Sequence, residues 1–102
     1  MSRGPDATTL LERRLRIAAE AAGVAITIVT ADATPWASAT FNGARHRLTL
    51  VGEGAAFERW VARLPEADLP VRGHLVADLV VRRAVAEDGV VIDLEVLTVE
   101  ER

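Results

Sequence analysis

The sequence predicts an α+β fold: a two-layer sandwich with a mostly antiparallel sheet of about five strands and two helices on one face. Three observations predict it. Two segments repeat apolar residues at helical spacing, one near the N-terminus and one near residue 60. Between and after them lie runs rich in Val, Ile and Thr, the residues that fit a pleated surface. Consecutive runs are joined by short Gly-containing turns, as hairpins require. The expected order is α-β-β-β-α-β-β.

The chain has 102 residues, half of them hydrophobic, which is enough for one domain around one core. Residues 1–7 are expected to form a flexible tail, because Gly4-Pro5 interrupts local order, and residues 8–102 a single domain. Thr9 and Glu12 have the spacing of a capping box, so the first helix is expected over Leu10–Ala22, with Gly23 as its stop. Leu11, Leu15, Ala18 and Ala22 supply its apolar stripe, widened by Leu10, Ile17 and Ala21.

Val24–Thr30 reads as a strand with two apolar faces, hence central in the sheet. Ala33-Thr34-Pro35 is expected to end it. Trp36–Phe41 and Ala44–Val51 then flank Asn42-Gly43, the preferred dipeptide of a two-residue type I′ turn. That turn would place Thr40 opposite Arg45 and Ser38 opposite Arg47. Trp36, Arg45 and Arg47 would share the outer face, and Phe41, Leu48 and Leu50 the inner one.

The second helix is expected over Ala55–Leu64. Phe57, Trp60, Val61 and Leu64 fall on one side of it, and Pro65 ends it. Val71–Ala86 and Val90–Val99 form the last hairpin around Glu87-Asp88-Gly89. A two-residue turn puts Arg82 opposite Glu95, whereas a bulged turn puts Arg83 opposite Asp93. The first gives the cleaner apolar face, with Leu75, Ala77, Leu79 and Val81 inward, at the cost of turning Arg83 toward the core. It leaves Val76, Val80, Leu97 and Val99 outward among Asp78, Arg82, Asp93 and Glu95.

Composition removes several functional classes. With no cysteine there is no disulfide, thiol nucleophile or thiolate metal site. With all twelve basic residues Arg, there is no lysine for Schiff-base chemistry. The formal charge of −3 disfavours nucleic acid as a partner. No signal-peptide pattern and no membrane-length apolar run is present, so a cytoplasmic location is expected. No P-loop, dinucleotide fingerprint, zinc-protease, nucleophile-elbow or EF-hand motif occurs. No catalytic residue, metal or cofactor is therefore assigned.

The histidines are His46, between Arg45 and Arg47 on the face of Leu48 and Leu50, and His74, four residues before Asp78. Residues i and i+4 of a strand lie roughly 13 Å apart, too far to share a metal. Bonding to backbone or water at an edge or loop suits both better than catalysis. Three functions remain. The first is a binding or assembly module, homodimeric through an open sheet face. Val76, Val80, Leu97 and Val99 would make the self-contact, and Trp36, Arg45 and Arg47 would meet a protein or anionic partner. The second is a small enzyme using His46 or His74 with a carboxylate. The third is a weak single-stranded nucleic-acid binder on the Trp36/Arg45/Arg47 face.

Overall fold

The computed structural model describes residues 6–86 and 89–101. The observed order is α1 (Ala7–Ala21), β1 (Thr27–Ala37), β2 (Asn42–Gly52), α2 (Ala55–Arg63), β3 (His74–Ala86) and β4 (Gly89–Glu100), with a 3₁₀ turn at Leu64–Glu66. The fold is α+β, as the sequence predicts, but with four strands rather than about five. All neighbours are antiparallel and the strand order is β1-β2-β4-β3. The chain thus runs through α-β-β twice, and the second strand of each unit lies in the middle of the sheet.

The missing strand is a merger. The chain does not break at Pro35 but runs straight through it, joining the two expected strands into β1. Position explains this. β1 is an edge strand, where an absent N–H can face away from the ladder at no cost in pairing. Hence β1 is not the central strand that its apolar faces suggested, and Val29 is largely exposed. Its register with β2 shifts between Ile28 and Thr30.

The first hairpin also turns elsewhere. Ala37 pairs with Asn42, and Ser38–Phe41 form the loop. The Ser38 hydroxyl accepts the backbone amides of Thr40 and Phe41, and the Ser38 amide donates to the Phe41 carbonyl at 2.8 Å. This serine-built turn displaces the Asn-Gly one. Gly43 is needed for close approach instead: a Cβ there would lie 2.7 Å from a ring carbon of Trp36, its cross-strand partner. Phe41 is consequently exposed rather than part of the core.

At the N-terminus, Asp6 rather than Thr9 caps α1. Its carboxylate accepts the Thr9 amide at 2.9 Å, which holds its pKa below the ordinary value. Asp6 and Ala7 therefore belong to the helix start, not to the expected 1–7 tail, whose residues 1–5 lie outside the described residues. Gly23, at φ 71°, follows the end of α1. Leu11, Leu15 and Ala19 face the sheet, while Ile17 is exposed.

The last hairpin takes neither register considered. Arg82 lies opposite Asp93, and Arg83 opposite Ile92. Residues 87 and 88 fall outside the described residues, and the last pair of the ladder is Ala86 with Gly89. A bulge at Ala77, between Val76 and Asp78, changes the register once. An extra residue on one strand flips the alternation. Val76 therefore turns inward against the core and Leu75 outward, the reverse of the expected arrangement.

One core lies between the helices and the inner face. It contains Leu48, Leu50, Ile92, Leu94 and Val96 from the central strands and Leu79 from β3. Leu11, Leu15, Phe57, Trp60, Val61 and Leu64 close over them. Each such side chain contributes about 1.5–3 kcal/mol relative to exposure. Arg83, on the same side of the sheet, avoids the core by pairing with Glu58 of α2, with both groups substantially exposed. No helix among the described residues is long and apolar enough to cross a membrane.

Candidate functional site

With both helices on one side, the register defines what the other side presents. Rows of paired residues cross all four strands. The first is Trp36, Gly43, Val99 and Leu75. The second is Thr34, Arg45, Leu97 and Asp78. The third is Asp32, Arg47, Glu95 and Val80. A further row of Thr30, Thr49, Asp93 and Arg82 follows.

These rows bring the sequence-predicted residues together in part. Trp36, Arg45 and Arg47 share the outer face, but with Thr34 and Asp32 opposite the arginines rather than Thr40 and Ser38. Val80, Leu97 and Val99 lie on that same face, whereas Val76 lies beneath it. Leu75, 59% exposed, takes its place. The result is a diagonal apolar stripe: Leu75 opposite Val99, Leu97 two residues along β4, then Val80 across on β3.

Polar groups border the stripe. Glu95 accepts Arg82 at 3.2 Å and lies 3.9 Å from Arg47, and the Thr49 hydroxyl donates to Asp93 at 2.9 Å. The face carries Arg45, Arg47 and Arg82 against Asp32, Asp78, Asp93 and Glu95. Its charge is nearly balanced, so it offers no cationic surface to a polyanion. Trp36 lies over Gly43, and its Nε1 is buried with no hydrogen-bond partner among the described residues.

His46 departs from the expected edge or loop setting. It sits in central strand β2 and is fully buried. His46 Nε2 lies 2.8 Å from the Thr98 hydroxyl and Nδ1 lies 3.1 Å from the Thr8 hydroxyl, so both ring nitrogens are engaged, and the Thr98 hydroxyl also lies 3.4 Å from the Ala44 carbonyl. Burial lowers the His46 pKa, reinforced by nearby His74 and opposed by Asp6. A neutral imidazole thus ties the first turn of α1 to the two central strands. His74 opens β3 and its Nδ1 lies 3.1 Å from the Arg72 carbonyl. Both histidines, Asp6 and Glu100 line a cavity of about 240 Å³. Among the described residues no group of three or more His, Asp or Glu is arranged to hold a metal.

Thr98 and Thr8, the partners of His46, are not among the residues that the sequence singles out. The alternation Ile92, Leu94, Val96, Thr98 carried a signal, because it places a polar side chain inward on the strand that neighbours His46. A larger cleft of about 670 Å³ opens at the far end of the sheet, walled by Val24, Ile26, Val51, Phe57 and Val90. Its one ionisable lining group among the described residues is Glu53. Compared with protein-family models, curated proteins and solved structures, the chain matches none.

Proposed function

We propose that this domain is a non-enzymatic assembly module that works in the cytoplasm and docks onto a second copy of itself through the helix-free face of its sheet. The observation that carries this reading is the stripe Leu75, Val99, Leu97 and Val80 on a face that neither helix covers. An apolar patch bordered by polar groups marks a contact surface. Near balance of charge suits a like partner, since neither copy presents the other with a surface of one sign.

The catalytic alternative has less support. Of its two histidines, His46 has both ring nitrogens engaged and no exposed surface, so it has no free position for substrate, and His74 has Nδ1 3.1 Å from the Arg72 carbonyl. The nucleic-acid alternative is weakened by Glu95 and Asp32 beside Arg47.

Native mass spectrometry of wild type and Val99→Asp tests the proposal. Val99 lies at the centre of the apolar row, so a carboxylate there should halve the assembly mass while far-UV circular dichroism stays unchanged. A monomeric wild type, or a mass unaffected by Val99→Asp, overturns it.

A further inference from the structure

We infer that the outer edge of β3 is a second self-contact, in which two copies pair their β3 strands antiparallel about a two-fold axis through Val80. The inference goes beyond the sheet-face contact and needs only that this edge be open.

An edge strand exposes unpaired amides and carbonyls and is a template for another strand. The sheet has two edges, and they differ. β1 is blunted by Pro35 and by its irregularity between Ile28 and Thr30. β3 runs 13 residues without proline, and its register is regular from Asp78 to Ala86. Among the described residues no strand pairs with its outer edge beyond the bridge of Val71 to His74.

The partner is identified by the sequence of that edge. Asp78, Val80 and Arg82 are successive outward residues, with Leu79 and Val81 inward between them. In a two-fold antiparallel pair centred on Val80, Val80 meets its own copy and Leu79 meets Val81. Asp78 of each strand then faces Arg82 of the other. Opposite charges fall opposite each other at both ends, and apolar residues meet between them. A shift by one residue would lose both charge pairs. Asp78 has no ion-pair partner among the described residues, so it is available for this role. The bulge at Ala77 limits regular pairing on one side, which confines the contact to the segment 78–82.

The test is a charge exchange in the Val99→Asp background, which removes the face contact. That chain should remain dimeric by native mass spectrometry. Adding Asp78→Arg places Arg opposite Arg82, and adding Arg82→Asp places Asp opposite Asp78. Each variant alone should be monomeric. Mixed in equal amounts they should form a heterodimer with the summed mass of the two chains, an outcome that misfolded chains would not give. A monomeric Val99→Asp chain from a dimeric wild type overturns the edge contact and leaves the face contact standing. Charge variants that stay dimeric, or that fail to combine, also overturn it. A Val99→Asp chain of wild-type mass removes the face contact alone.

Discussion

His46 Nε2 lies 2.8 Å from the Thr98 hydroxyl, with both side chains fully buried beneath α1. The pair links the two central strands, and the contact of His46 Nδ1 with Thr8 extends the link to the helix. It is the polar centre of an otherwise apolar layer.

Thr98→Val keeps the shape of that site but removes the hydroxyl that His46 Nε2 bonds. The buried ring nitrogen is then left without its partner, which costs about 1–3 kcal/mol. For a domain of this size each kcal/mol lowers Tm by about 4–8 °C. Thermal unfolding checks the loss, and an unchanged Tm would show that the bond contributes nothing.

The lowered pKa of His46 makes stability depend on pH. Its ordinary value is 6.5. In mildly acidic solution the unfolded chain takes up a proton that the folded chain resists. Stability from this group is complete above the unfolded pKa and falls as pH drops below it, levelling off below the folded value. Urea unfolding from pH 8 to pH 5 should therefore show a stability loss that His46→Gln lacks.

Asp6→Ala removes the side-chain cap of α1. The expected cost is about 0.5–2 kcal/mol. Because the folded carboxyl titrates below its ordinary value, the difference from wild type is full at neutral pH. It fades as acid protonates Asp6 through its lowered folded pKa. Chemical denaturation at neutral and acid pH checks both statements.

Gly43→Ala should destabilise the first hairpin, because the new Cβ meets the Trp36 ring and the backbone of Thr98. Overpacking of this kind costs about 1–3 kcal/mol. Indole fluorescence should change along with the unfolding midpoint, since Trp36 must leave Gly43. A variant with wild-type fluorescence and stability would disprove the stacking.

Much of the inner layer was legible from periodicity. Phe57, Trp60, Val61 and Leu64 lie buried as their spacing requires, and His46 lies on the face of Leu48 and Leu50. The outer face was legible as a set: Trp36, Arg45, Arg47, Val80, Leu97 and Val99 share it. Val76 was misplaced because a bulge has no local signature here, and one extra residue reverses every side chain beyond it. The Asn42-Gly43 turn was misplaced because Gly43 answers a steric demand from Trp36, which local turn preference does not register.

The sequence by itself determined the α+β class, both helices, the outer and inner composition of the central strands, and the absence of thiol and lysine chemistry. These follow from side-chain type and short-range period, which act within a few residues. Only the tertiary structure decided which strands are edges, how β2 aligns with β4, and that Thr8 and Thr98 meet at His46. Those outcomes depend on contacts between residues 38 and 52 positions apart. Long-range pairing is selected by the packing of the whole layer and by bulges that reset register, and no local pattern encodes either.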